Sequence, residues 1–384
     1  MNTNKFILLI ISVLNILFIQ NSLATHGPKF SWDTVPVYAH FGATGGMSAE
    51  EIEFIATHYD FITLEKAHGA RLHNGVSEPE TFSDVAKIKA INPEAHVLFY
   101  WNLLLDYPMY QMSNERKAND DWFIHTLDGT LHLKGKQKIK RYDLSNVDLQ
   151  NWWANAAKRA LTQGNMDGVF IDAIPQIGLV PNERIEEWGK EKFYAIENGI
   201  NQTLARLKST LGEDKTVIYN GIRSIPNGWK HGGNKYLEHT SGNIIEHFNV
   251  FKSQAPEQIA QDLQRMMQAG KAGKITILKT WPGFTWLDKE TLKLPKAELQ
   301  RIAREKITFP LAAFLIAAHE KSYFNYTWGY RDNHGAYDWY PEFDKKLGAP
   351  LGDAKKNGFE YQREFKYASV YLNVETKKAQ INWR

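Results

Sequence analysis

The sequence predicts an α/β fold, a (β/α)8 (TIM) barrel with a small C-terminal antiparallel β appendage, and three observations lead there. Short apolar, β-branched runs recur eight times, separated by segments of helical spacing. At least six of the eight runs end in a polar or charged residue, where parallel α/β sheets place their chemistry. No Gly-x-Gly-x-x-Gly turn follows the first run, which disfavours the alternative, an open doubly wound sheet. The expected organisation is a signal peptide over residues 1–24, the barrel over 25–345 and a β segment packed on it over 346–384.

The chain opens with Lys5, an apolar run over 6–19 and the small-residue end Ser22-Leu23-Ala24. That is the pattern of a secretory signal peptide cleaved after Ala24, with a signal anchor as the alternative. The run is short for a bilayer span, and no later segment is long enough to be one. A secreted or periplasmic location is therefore expected.

Residues 35–41 read as the first strand. Ser48-Ala49-Glu50-Glu51 is a capping-box start to a helix ending near His58. Strands follow over 61–65 and 96–101, with a helix over 82–91 between them. The third strand ends in Asn102. Residues 103–142 are rich in Asp, Asn, Gly and aromatics and too long for an ordinary connection, so a functional loop is expected. Ser145-Asn146-Val147-Asp148 caps a helix carrying Trp152, Trp153, Ala156, Ala157 and Ala160, and Gly164 ends it. Val169-Phe170-Ile171 is then a fourth strand buried on both faces, with Asp172 at its carboxyl end. Residues 183–211 are largely helical. Strands five to eight fall at 216–220, 243–248, 274–280 and 323–328, with helices over 256–267 and near 299–318. In 359–383 the alternation of Phe365, Tyr367, Ser369, Tyr371 and Asn373 with Lys366, Ala368, Val370 and Leu372 indicates two or three antiparallel strands.

Composition narrows the function. The formal net charge is +3 with no basic stripe, which argues against a nucleic-acid partner. The Lys-rich piece 134–141 reads as a solvated loop or as a contact for an acidic polymer. Cysteine is absent, so neither a thiolate nucleophile nor cysteine-bound zinc is available. Roughly 360 residues bury a large core without disulfides. The chain holds 12 Trp, 17 Tyr and 20 Phe, rings that form cores and also stack on sugar faces.

The polar strand ends are Glu65, Asn102, Asp172, Asn220, Glu246, Lys279 and Asn325, with Trp281 and Trp328 interleaved. Together they resemble a polyol-binding cup. Cleavage of a glycosidic bond needs two carboxylates, one to protonate the leaving oxygen and one to act as nucleophile or to activate water. Asp172 and Glu246 are the candidate catalytic pair. Asp172 is short and fixed, and Glu246 sits in an apolar strand that would raise its pKa into the range of a general acid. Glu65 is the alternative acid or a hydroxyl-binding residue. Asn102, Tyr219, Asn220, Lys279, Trp281, Asn325 and Trp328 are candidate sugar contacts, with Trp286 as a further platform. Asp143 either braces the loop into the helix or reaches the site. Asp106, Trp122 and His125 are candidates for a subsite wall, and His40 and His68 for hydroxyl binding or structure. Strand parity keeps Glu246 and His247 from both facing inward, leaving His247 among the helices or behind Glu246. No histidine spacing suggests a metal site, and no cofactor is expected.

Arg141-Tyr142-Asp143-Leu144-Ser145-Asn146, a helix, and then Asp167-Gly168-Val169-Phe170-Ile171-Asp172-Ala173 resembles the paired motif of alpha-amylase-like glycoside hydrolase barrels. Leu347-Gly348-Ala349-Pro350-Leu351-Gly352, Arg363-Glu364-Phe365 and the strand with Asn373 resemble the end of the hypothetical glycosyl hydrolase-like family 15 barrels. The similarity covers most of the chain after the leader. It implies a secreted polysaccharide-degrading enzyme with Asp172 in the nucleophile position. The chain departs from alpha-amylases at the fifth strand, which ends in Asn220 where they carry an acid. A sixth-strand acid is more similar to alpha-galactosidases and favours Glu246. The expected function is hydrolysis of O-glycosidic bonds in a polysaccharide or oligosaccharide. The alternatives are a glycan-binding barrel without activity and a metal-dependent hydrolase on the same fold.

Overall fold

The computed structural model describes residues 27–115 and 120–384, so the expected signal peptide lies outside the described residues. Eight parallel strands form one sheet in sequential order: β1 (Ala39–Phe41), β2 (Phe61–Leu64), β3 (His96–Asn102), β4 (Gly168–Asp172), β5 (Thr216–Asn220), β6 (Gly242–Ile245), β7 (Ile275–Thr280) and β8 (Ser322–Tyr326). The sheet closes between its first and last strands. Tyr38 N–H donates to the Phe324 carbonyl and Phe324 N–H to the Pro36 carbonyl, both at 2.8 Å. Closure removes the open edges that a parallel sheet would otherwise leave unpaired.

The local chemistry is as the sequence indicates. The first helix, α1 (Ala49–His58), carries the full capping box: Ser48 Oγ accepts from Glu51 N–H, and the Glu51 carboxylate accepts from Ser48 N–H. Helix α2 spans Glu78–Ile91. The Asn146 side chain caps α3 (Val147–Gln163) by accepting from the backbones of Asp148 and Leu149, and Gly164 closes it. The expected helix over 183–211 is two, Pro181–Trp188 and α4 (Lys190–Leu211), broken at Gly189 with φ of +83°. Helices α5 (Pro256–Lys271), α6 (Lys296–Lys306) and α7 (Thr308–Ala317) complete the outer layer.

One link departs from strict alternation. The β5–β6 connection holds only a 3-10 turn, Asn234–Leu237. Its sequence explains this, because Gly221, Pro226, Gly228, Gly232 and Gly233 interrupt any helix there.

The long β3–α3 loop folds down onto the barrel. Leu103, Leu104, Leu105, Tyr110, Phe123, Ile124 and Tyr142 are all buried. A small antiparallel ladder, Leu133–Lys134 with Ile139–Lys140, projects from it.

Four antiparallel strands follow the barrel, where two or three were expected: β9 (Lys355–Asn357), β10 (Glu360–Glu364), β11 (Ala368–Asn373) and β12 (Lys378–Trp383). Their alternating face, with Ala368, Val370 and Leu372 buried, packs on α7. The buried Arg363 guanidinium donates to the carbonyls of Leu315, Ile316 and Ala318, neutralising the end of that apolar helix.

Candidate active site

The site begins with the register of three strands. Asn102 pairs with Asp172 across β3 and β4, while Ile171 pairs with Tyr219 on β5. That sets Asn102, Asp172 and Asn220 side by side at the barrel mouth. Asp172 Oδ1 accepts from Asn220 Nδ2 at 2.9 Å and from the Ala173 backbone at 2.6 Å. Its Oδ2 accepts a short hydrogen bond from the Tyr100 hydroxyl and a longer one, 3.3 Å, from Asn102 Nδ2. Asn102 is itself fixed, its Oδ1 accepting from the Leu104 and Leu105 backbones. Ala173 holds φ of +81°, a left-handed conformation costly for a residue with a Cβ, and this turn delivers its N–H to the carboxylate.

Asn220 Nδ2 also donates to Glu246 Oε2, at 2.6 Å. The two bonds from one nitrogen keep the Asp172 and Glu246 oxygens within about 5.5 Å of each other. The two carboxylates differ in setting. Asp172 is half-buried, whereas Glu246 is buried, and its pKa is raised to about 8 by burial and by the nearby Asp172 and Glu65 charges. Glu65 goes the other way. Burial works against its charge, but Lys66 at 2.7 Å and His40 at 3.0 Å outweigh it and hold the carboxyl at about 2. An acid kept ionised in this way is unsuited to give a proton, so Glu246 is the better acid of the two.

His247 does not pack among the helices. Strand β6 ends at Ile245, so parity no longer governs Glu246 and His247, and His247 Nε2 lies 3.3 Å from Glu246 Oε2. Burial, with Arg223 and Lys279 adding, lowers its pKa to about 3, so it is a neutral neighbour. Its ring lies near-parallel to those of Trp281 and Trp286 at 6.1 and 6.2 Å, the two tryptophans meeting each other at 5.1 Å, and Tyr330 closes this aromatic wall against both.

Several expected sugar contacts serve the scaffold instead. Tyr219 points to the opposite face from Asn220, as strand alternation requires, and donates to the Gly233 carbonyl while fully buried. Trp328 is buried against Phe284, beneath Gly335. Asn325 is occupied by the Tyr38 carbonyl and by Lys279. Lys279 in turn donates to Asn325, Thr327 and Gly329 under the Trp281 and Tyr330 rings, with burial pushing its pKa down. Asp143 is a brace, its oxygens held by Ser145 and Lys192. Asp106 accepts from Tyr142, and Trp122 packs on Trp152. His68 bonds Asp84 inside the fold. Trp281 does stand at the mouth, with the half-buried Trp286 and the exposed Phe251 beside it.

Two residues escaped the sequence reading. Tyr100 sits in the middle of an aromatic strand and looks like core; only its register two positions before Asn102 marks it as inward-facing. Lys66 follows Glu65 just past β2, where a charge is ordinarily solvated. Here it lies over the Tyr100 ring at 4.6 Å.

Among the described residues no group of three or more His, Cys, Asp or Glu is placed to hold a metal, and no helix is long and apolar enough to cross a membrane.

Fold and site together define a (β/α)8 barrel with a carboxylate pair of unlike burial at its mouth. The chain belongs to the hypothetical glycosyl hydrolase family 15, whose model matches residues 89–369. No curated protein matches it. Among solved structures, a maltogenic alpha-amylase from Thermotoga neapolitana is similar at 12% identity and a TM-score of 0.49, over 88% of this chain and 86% of that one. An acarbose-bound alpha-amylase from Geobacillus thermoleovorans shows 9% identity and a TM-score of 0.48, over 90% and 88%. A Paenibacillus cycloisomaltooligosaccharide glucanotransferase shows 12% and 0.45 over 67% of this chain, which spans 40% of its length.

Proposed function

We propose that the protein is an exported, retaining glycoside hydrolase with Asp172 as nucleophile and Glu246 as general acid and base. Family membership implies a carbohydrate substrate. The observation that carries the mechanism is the Asn220 amide shared by the two carboxylates. That shared amide keeps one oxygen of each within about 5.5 Å of the other, short of the roughly 6.5–9.5 Å of inverting enzymes, which supports retention.

In the first step an Asp172 oxygen bonds to the anomeric carbon, the glycosidic bond breaks, and the leaving oxygen takes the Glu246 proton. In the second, Glu246 takes a proton from water, the water oxygen bonds to the anomeric carbon, and Asp172 is released. Burial keeps Glu246 protonated at neutral pH for the first step. Tyr100, Asn102, Asn220 and the Ala173 N–H orient Asp172 and disperse its charge. Trp286 and Phe251, backed by the buried Trp281, offer ring faces to the sugar.

The test is Asp172→Asn against the wild type on a polysaccharide panel, with the anomer first released read by NMR. The expected result is retention in the wild type and at least about a 10³-fold loss of turnover in the variant, some 4 kcal/mol of barrier. Inverted product, or full activity in the variant, would sink the assignment.

A further inference from the structure

The piece 134–141, ambiguous in the sequence, returns over the mouth in the structure. Lys134 and Arg141 belong to the ladder of the β3–α3 loop and its continuation. Arg141 is 4% exposed, yet it makes a single side-chain hydrogen bond, to the neutral amide of Gln176 just past Asp172, and its Nε has no partner. Arg184 stands against it. One of its nitrogens meets Glu187, but its buried Nε is also unpartnered. Lys134 is half-buried, and among the described residues no carboxylate pairs with it.

These three cations lie close enough to repel one another. Burial, then Arg141, lowers Lys134 to about 8, with Asp172 the opposing charge and Lys66 and Arg184 further repelling ones. Burial, then Arg184, lowers Arg141 to about 10. A buried guanidinium with one neutral hydrogen-bond partner, cationic neighbours and no nearer counter-charge than Glu187, which Arg184 already pairs, is a costly arrangement for a resting fold. An anion would relieve it, and a guanidinium fork is shaped to receive a carboxylate or a sulfate in bidentate fashion.

We infer that the glycan carries negative charge beside the scissile bond, and that Lys134, Arg141 and Arg184 hold an acidic substituent, a uronate carboxylate or a sulfate ester, next to Asp172. This rests on the proposed hydrolase reading and narrows its substrate to anionic polysaccharides. The loop that brings these residues then confers specificity, while the strand ends carry the chemistry.

The experiment measures binding and hydrolysis of uronate-bearing and sulfated polysaccharides, each before and after chemical carboxyl reduction or desulfation. Wild type and Lys134→Ala are used for both readouts, and Asp172→Asn for binding alone. Lys134 lies on a partly exposed ladder, so its truncation leaves the fold intact; Arg141→Gln is added, with its melting temperature checked. Binding of at least one acidic class is expected, weakened about tenfold or more in Lys134→Ala, reduced by added salt, and lost when that charge is chemically removed. Loss on carboxyl reduction assigns a uronate, and loss on desulfation a sulfate. Equal binding of the neutralised polymers, or none of the acidic ones bound, would overturn the inference. Hydrolysis of a neutral glycan, lost in Asp172→Asn and unchanged in Lys134→Ala, would leave the hydrolase standing and remove its acidic substrate. Lys134-dependent binding without hydrolysis would do the reverse.

Discussion

The Tyr100 hydroxyl donates to Asp172 Oδ2 from the neighbouring strand, although Tyr100 is paired in register with Phe170, two residues earlier. The ring therefore leans along the barrel axis toward the mouth and spends its one proton on the carboxylate. Burial raises the phenol well above its ordinary pKa, so it remains a donor throughout the working range.

Tyr100→Phe is accordingly expected to keep the fold and lower kcat by about tenfold, the effect of one hydrogen bond to a charged group. KM should change less, because the phenol touches the nucleophile and not the glycan. A kcat equal to that of the wild type would show that Asn220, Asn102 and Ala173 suffice to hold Asp172.

The pH profile should report Glu246. As the proposed general acid its carboxyl must carry a proton to start the reaction, and burial raises its pKa to about 8, so kcat/KM is expected to fall above that pH. In Glu246→Gln the basic limb should vanish along with activity on substrates with poor leaving groups. Stability has its own sign. A carboxyl raised in the folded state contributes stability that is full below its unfolded pKa, near 4.5, and lost as pH rises through about 8. The melting temperature of Glu246→Gln should thus gain on the wild type between pH 5 and 9. A constant difference across that range would contradict the raised pKa.

The strands, their polar ends and the proposed catalytic pair were legible because hydrophobic period and strand-end chemistry are local signals. Asp172, Asn220 and Glu246 each mark a strand end, and the structure only had to join them through one amide. Tyr219 was misplaced although its parity opposite Asn220 already excluded it. Lys279 and Asn325 were misread because a polar residue inside a barrel looks the same in sequence whether it faces substrate or another strand. Only the partners each side chain meets in the fold separate the two. Arg141 was opaque for the opposite reason: its burial depends on a loop of some forty residues folding back, which no local pattern encodes.

The proposed signal peptide can be tested at its cleavage site. Pro28 is buried, and the Tyr323 hydroxyl donates to the Pro28 and Lys29 carbonyls, each at 3.0 Å. Cleavage after Ala24 would leave Thr25 as the first residue, a few positions before this anchored point. N-terminal sequencing of exported protein is expected to begin at Thr25. A retained residue 1–24 segment in membrane fractions would favour the signal anchor.

Gly168 opens β4, and a Cβ there would lie 2.0 Å from the Thr216 carbonyl oxygen on β5 and 2.9 Å from a Leu98 methyl on β3. Neither strand can retreat without shifting the register that aligns Asn102, Asp172 and Asn220. Gly168→Ala is therefore expected to cost about 3 kcal/mol, the upper range for overpacking, and to lower Tm by on the order of 5 °C. Its second consequence separates it from a simple core defect. Spreading β4 from β5 lengthens the Asn220 bridge, so the folded fraction should lose kcat at a temperature well below Tm, with KM little changed. A variant that is destabilised but fully active when folded would show that the bridge tolerates movement at the far end of the strand.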